Sequence, residues 1–295
     1  MEDKSEKTWG FAIVYSAVFD GKTYALKSLN NNLGLNDKEF KQFRRELKLL
    51  YTIDNHPNIV KFYGVSREST GNFMLILQFA NNGNLRDYLR NKQIEGVYKI
   101  SWVELIQIAG DIANGLKHLH DKHIIHRDLH SKNVLLNDGR ALITDFGISK
   151  HLNDTTTSSS DKGGVPAYIE PQCYLQDGNV KRDQKSDIYS LGVLLWELTS
   201  GVPPFNDFPD RAIIIEISQN KREKTIENTP PHYVNLYTNC WSSDPDLRPK
   251  LNEVLIELKK LETVEFITNN INNRQIQQPI FHSYDTDSIL SINTC

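Results

Sequence analysis

The run Ile125-His126-Arg127-Asp128-Leu129-His130-Ser131-Lys132-Asn133, followed twelve residues later by Asp145-Phe146-Gly147, constrains this chain more than any other feature. It places a carboxylate, a cation, a carboxamide and a second carboxylate on two short turns. Between the turns, residues 134–136 and 141–144 read as a β-hairpin around Asn137-Asp138-Gly139, a strong turn signal. Asn and Asp are common turn formers and mean little singly. In this order they form an oxygen-rich set suited to holding a metal-bound triphosphate in line with an incoming hydroxyl.

Composition removes several other readings. A net charge of −3 and the lack of a long Lys/Arg block leave no nucleic-acid footprint. The three cysteines, Cys173, Cys240 and Cys295, are widely spaced and odd in number, as in a reducing compartment and unlike a disulfide framework. Residues 1–7 are too polar for a secretory signal. The most apolar runs, near 188–198 and 212–217, are too short or interrupted for a membrane span. A soluble, cytoplasmic protein is expected. Gly21-Lys22-Thr23 ends a near match to a phosphate-binding loop, but Ser16 stands at its first glycine and a hairpin follows. The histidines His118, His120, His123, His126 and His130 lack nearby thiols and regular ligand spacing, so zinc is not expected.

Along the chain, β precedes α. Residues 12–19 and 23–29 are rich in β-branched and aromatic side chains, with Asp20-Gly21 as the turn between them. Residues 37–50 show helical spacing, with Asp37 as N-cap and Phe40, Phe43, Leu47 and Leu50 on one face. Residues 59–65 and 73–79 read as strands, and Asn81-Asn82-Gly83-Asn84 closes the second. The remainder is mainly helical. Residues 102–120 carry an apolar stripe, and 186–198 read as a buried helix stopped by Ser200-Gly201 and Pro203-Pro204. Further helices are expected around 211–219, 231–240 and 251–261. Beyond Glu262 the chain turns to Asn, Gln, Ser and Thr and is expected to stay unstructured.

These motifs stand in a recognisable order. Tyr24-Ala25-Leu26-Lys27 lies on a strand, Glu46 on the next helix, then come the two turns above, then Val165-Pro166-Ala167-Tyr168-Ile169-Glu170-Pro171. Ser186-Asp187-Ile188-Tyr189-Ser190-Leu191-Gly192 and Cys240-Trp241-Ser242-Ser243-Asp244-Pro245-Asp246-Leu247-Arg248-Pro249 follow. Over roughly 9–262 the chain resembles a eukaryotic protein kinase domain, most of all the tyrosine-kinase-like branch. The resemblance implies an α+β, two-lobed fold. A small β-rich N-lobe with one main helix spans about 9–79, a hinge about 80–84 and a larger, mainly helical C-lobe about 85–262. A polar segment 1–8 and the tail 263–295 flank it.

The resemblance also implies ATP and Mg²⁺ as cofactors and a protein substrate. Asp128 is then the catalytic base and Lys132 the cation on the transferring phosphoryl group. Lys27 meets the α- and β-phosphates and is paired by Glu46; Asn133 and Asp145 hold the metal. Gly10, Ala12 and Val14 belong to the strand pair over the nucleotide. Val14, Ala25 and Leu135 sandwich adenine, Leu77 guards the back of the pocket, and Phe79 and Ala80 form the hinge. Leu50, Phe62, His126 and Phe146 stack between the lobes, and Asp187 hydrogen-bonds the catalytic-loop backbone. Arg127 implies a phosphate site, for which Thr155-Thr156-Thr157-Ser158-Ser159-Ser160 offers hydroxyls to an upstream kinase.

Six positions depart from the family pattern. Lys7, Trp9 and Ala12 stand at the three glycines of the phosphate-covering loop, and residues 1–8 do not read as a first strand. A left-handed backbone at a residue with a Cβ costs about 1–2 kcal/mol, so weakened ATP affinity is expected. Gln172 replaces a glutamate that pairs with Arg248, which implies a less stable C-lobe. His130 stands where serine/threonine enzymes carry Lys, with the cation instead at Lys132. Val165 replaces a common Thr. The favoured reading is a Ser/Thr protein kinase. A nucleotide-poor pseudokinase scaffold and a tyrosine or dual-specificity kinase are the alternatives; a small-molecule kinase is disfavoured by 165–171.

Overall fold

In a computed structural model the described residues are 6–9, 12–29, 37–53, 55–67, 73–146, 149–151, 164–175 and 180–262. The N-terminal lobe contains β1 (Glu6–Trp9), β2 (Ala12–Phe19), β3 (Lys22–Leu29), α1 (Asp37–Thr52), β4 (Phe62–Arg67) and β5 (Phe73–Gln78). The strands form one antiparallel sheet in the order β1-β2-β3-β5-β4. Asp20 and Gly21 join β2 to β3 with φ of 50° and 69°, both left-handed. Such a turn matches the twist of the paired strands.

Two expectations about the chain start need correction. Residues 6–9 do form a first strand, with Lys7 opposite Val14 and Trp9 opposite Ala12. Backbone pairing does not require an apolar side-chain pattern, so a polar edge strand escaped the pattern reading. Because Lys7, Trp9 and Ala12 are strand residues, they sit in extended backbone that any residue adopts, and the left-handed penalty is not incurred there. Gly10 lies outside the described residues, as do Thr155-Thr156-Thr157-Ser158-Ser159-Ser160, Gly147 and the 263–295 tail.

The C-terminal lobe opens with α2 (Leu85–Asn91), the two-residue strands β6 (Gln93–Ile94) and β7 (Val97–Tyr98), and α3 (Trp102–Asp121). Then come β8 (Ile124–Ile125), β9 (Val134–Asn137), β10 (Arg140–Ile143) and β11 (Lys150–His151). Helices α4 (Gln172–Leu175), α5 (Gln184–Ser200), α6 (Asp210–Ser218), α7 (Pro231–Cys240) and α8 (Leu251–Glu262) complete it. The β9–β10 turn at Asp138-Gly139 has φ of 49° and 75°, again the tight hairpin type. Among the described residues no helix is long and apolar enough to cross a membrane.

Helix α5 is the centre of this lobe. All of its residues from Ser186 to Thr199 are buried, so its sequence shows little sidedness. Asp183 and Ser186 cap its start reciprocally, and Gly201 ends it with φ of 70°. A Cβ at Gly201 would overlap the Tyr98 ring, so glycine is needed there twice over. Helices α3 and α7 pack on α5, and α8 packs on α3.

The expected loss at Gln172 is also corrected. Arg248 is fully buried and its Nη1 donates to Glu170 Oε2 at 2.6 Å, two residues before Gln172. Gln172 Oε1 accepts from Arg248 Nη2 at 3.3 Å, and Ser186 Oγ donates to Glu170. The carboxylate has moved along the chain and the ion pair survives. Breaking a buried pair by removing one partner costs about 3–5 kcal/mol. Glu170→Gln is expected to lower urea stability on that scale, and adding Gln172→Glu should recover part of it. An unchanged unfolding midpoint for Glu170→Gln contradicts this account.

Candidate active site

The site forms where the two lobes face each other, and Asp187 fixes half of it. Its carboxylate is fully buried at the start of α5. Oδ2 accepts from the His126 N–H at 2.9 Å and lies 2.8 Å from His120 Nε2; Oδ1 accepts from the Arg127 N–H at 2.8 Å. Arg127 has φ of 69°, a strained value that this clamp helps to hold. Ser149 Oγ donates to the His126 carbonyl at 2.9 Å. The chain then turns back, so that Asp128 and Asn133 meet: Asn133 Nδ2 donates to the Asp128 carbonyl at 2.9 Å and to Oδ2 at 3.2 Å.

The second turn is tied to the first. The Thr144 N–H donates to the Asn133 carbonyl at 3.0 Å, which sets Asp145 beside the catalytic loop. Asp145 has φ of 64°, and Phe146 beyond it is fully buried against His126, ring centres 5.6 Å apart. Leu50 and Phe62 line one small cavity on the N-lobe side.

The N-lobe supplies the cation. Lys27 Nζ donates to Glu46 Oε1 at 2.7 Å and to Asp145 Oδ1 at 3.1 Å. Strand β3 and helix α1 thus meet the C-lobe through one ammonium. Burial opposes the charge on Lys27 most strongly, but the Asp145 and Glu46 carboxylates together outweigh it and raise its pKa. Burial raises the pKa of Glu46, and Lys27 counters it. The ammonium is therefore charged and placed for an anion.

Around this triad lie the apolar positions. Ala25 pairs with Leu77 across β3 and β5, and Val14 pairs with Lys27 across β2 and β3. Leu77 is buried, whereas Val14, Ala25, Ala80 and Leu135 are half-buried and Phe79 is exposed. Leu135 bridges to Asn84 just after the hinge. Of Ala12 the backbone alone is described, opposite Leu29. Lys132 is exposed on the 3-10 turn Ser131–Asn133.

The donor set fits Mg²⁺ and a nucleotide. Asn133 and Asp145 offer hard oxygen ligands from two adjoining turns, and Mg²⁺ usually takes one or two protein carboxylates and completes its shell with phosphate and water. No group of three or more His, Cys, Asp or Glu able to hold a metal occurs among the described residues, so an all-protein cage is not what this site offers.

Pattern reading missed a buried polar cluster beside the catalytic loop. Glu197 of α5 pairs with Arg86 Nε of α2 at 2.7 Å and accepts from Ser131 Oγ at 2.8 Å. Arg86 Nη2 donates to the Tyr168 hydroxyl at 2.9 Å, and that hydroxyl donates to Glu197. Burial raises the Glu197 pKa, opposed mainly by Arg86. A lone carboxylate inside Leu194-Leu195-Trp196-Glu197-Leu198 was the available signal, since a buried charge needs a partner. The cluster joins α2, the catalytic loop, the 165–171 segment and α5.

Asp187 also gives a pH dependence. Burial pushes its pKa up, but the His120 hydrogen bond, nearby His charge and the Arg127 N–H hold it below the usual carboxylate value. Its stabilising contribution is therefore complete above the unfolded pKa of about 3.9 and is lost as pH falls through the lower folded value. Urea unfolding of wild type and Asp187→Asn at stepped pH should show two curves that converge on acidification. Curves that stay parallel contradict the clamp.

A sequence model described as protein tyrosine and serine/threonine kinase matches residues 10–258. The chain is 31% identical over 251 residues to a probable LIM domain-containing serine/threonine-protein kinase of Dictyostelium discoideum, covering 84% of this chain and 37% of that protein. It is 32% identical over 263 residues to a probable serine/threonine-protein kinase of the same organism, covering 88% and 19%. It is 30% identical over 254 residues to a serine/threonine/tyrosine-protein kinase of Arabidopsis thaliana, covering 84% and 63%. The chain thus spans well under half of the two Dictyostelium relatives.

Proposed function

The chain belongs to the protein tyrosine and serine/threonine kinase family, in its tyrosine-kinase-like part, and we propose that it transfers the γ-phosphoryl group of ATP to Ser or Thr hydroxyls of a protein. The observation that carries this reading is the Lys27–Glu46–Asp145 triad, assembled from three elements and tied to the Asp128–Asn133 pair by the Thr144–Asn133 backbone bond. One ammonium held by carboxylates from both lobes, 118 residues apart in sequence for Asp145, is a cation fixed in place at the cleft.

Asp128 accepts or orients the proton of the substrate hydroxyl, help worth roughly 10²–10⁴ in rate. Lys27 binds the α- and β-phosphates, with Glu46 fixing its rotamer. Lys132 meets the charge on the group in transfer. Asn133 and Asp145 hold Mg²⁺, which when bound offsets phosphate charge and orients the nucleotide. Val14, Ala25 and Leu135 enclose adenine, Leu77 closes the back of the slot, and Phe79 and Ala80 present hinge backbone. Gly10 and Ala12 contact the phosphates in this reading, Ala12 from the start of β2. We place the kinase unit at about 6–262, since β1 joins the sheet. A cytoplasmic location fits the cysteine usage. Arg127 makes phosphorylation within 155–160 by an upstream kinase part of this reading; replacing all six hydroxyl residues with Ala and finding activity unchanged rules that part out.

The scaffold alternative loses its main support, because the glycine-poor positions lie in ordinary strand backbone. A peptide array presenting Ser, Thr and Tyr acceptors with Mg·ATP tests the proposal. Wild type should label Ser and Thr spots, Asp128→Asn should fall by about 10²-fold or more, and EDTA should bring transfer to background. Labelling confined to Tyr, or equal labelling by Asp128→Asn, contradicts it.

A further inference from the structure

His130 has no task in the mechanism above, yet it is buried at 7% exposure within the catalytic loop. We propose that His130 is a positioning residue for the Asp128 carboxylate, an inference that rests on Asp128 being the base.

The tautomer follows from its neighbours. His130 Nδ1 accepts from the Lys132 N–H at 3.2 Å, so the proton of the neutral ring sits on Nε2. Nε2 faces Asp128 Oδ1 at 3.6 Å. Among the described residues that oxygen is closed to solvent and has no hydrogen-bond partner, whereas Oδ2 already accepts from Asn133. A buried acceptor without a donor is costly, and a ring N–H stands opposite it. At 3.6 Å the contact is longer than a hydrogen bond, but catalytic hydrogen bonds are often long before substrate arrives and tighten in the complex.

The surroundings leave the ring little freedom. Tyr168 packs against it, ring centres 5.9 Å apart, and the Tyr168 hydroxyl is held by Arg86 and Glu197. The backbone at Gly164, just before the 165–171 segment, passes close by as well: a Cβ added there would come 3.3 Å from Asp128 Oδ1. Clamped through Oδ1 by His130, the carboxylate presents Oδ2 to the substrate hydroxyl, which gives up its proton there. No proton passes to His130. The residue acts by orientation, in the place where related serine/threonine enzymes carry Lys.

Three substitutions separate this from a purely structural role. His130→Asn keeps an acceptor for the Lys132 N–H but stops short of Asp128. His130→Gln can reach Asp128 with its amide N–H. His130→Ala does neither. With an acceptor peptide from the array and Mg·ATP, Ala and Asn should lower kcat by about 10- to 100-fold with KM for ATP within about twofold. Gln should stay within about threefold of wild type, and thermal midpoints of Asn and Gln should agree. An Asn variant as active as wild type, or a Gln variant as impaired as Ala, overturns the inference while activity abolished by Asp128→Asn leaves the kinase reading standing. Wild-type protein that transfers no phosphate overturns both.

Discussion

One buried carboxylate carries the catalytic half of this molecule. Asp187 has lost its water, and it accepts two backbone N–H groups of the catalytic loop besides facing His120. Those bonds hold Arg127 in left-handed backbone, which in turn sets Asp128 against Asn133. Helix α5 can serve as this anchor because it is buried along nearly its whole length and cannot shift without opening the core. The same helix holds Glu197 against Arg86, Ser131 and Tyr168, so one rigid element positions the loop at both ends.

The N-lobe half depends on a different balance. Lys27 is charged inside the protein because two carboxylates outweigh its burial, and one of them comes from the other lobe. The bond from Lys27 to Asp145 therefore ties the 145–146 turn to the N-lobe, while the bond to Glu46 ties α1 to β3. Buried pairs of this kind contribute little net stability and are better understood as specifying geometry. The Arg248–Glu170 pair shows the same logic at the base of the C-lobe, where the carboxylate has shifted by two positions and the pairing persists.

Much of this was legible in the sequence because the informative residues are those whose chemistry is unusual at their position. Asp20-Gly21 and Asp138-Gly139 announced their hairpins, since few other residues accept two consecutive left-handed conformations. The long apolar stripe of α3 and the largely apolar run of α5 announced helices. What stayed hidden needs three dimensions. Strand β1 is polar and defined by backbone pairing alone. The two-residue strands β6 to β8 and β11 are too short to carry a period. Glu170 lies two positions before the place where the pattern expects its charge, and only packing reveals that it reaches Arg248. Glu197 stands out as a lone charge in an apolar run, but its partner Arg86, 111 positions away, is ordinary in local sequence, and only the fold brings the two together.

The central claim is that side chains from both lobes converge on a metal-bound nucleotide. A crystal structure with Mg²⁺ and a non-hydrolysable ATP analogue tests it directly. The account predicts the cation about 2.0–2.1 Å from oxygens of Asn133 and Asp145, with Lys27 still paired to Glu46 and touching the α- or β-phosphate. A nucleotide seated elsewhere, or a cation that neither Asn133 nor Asp145 touches, would contradict it.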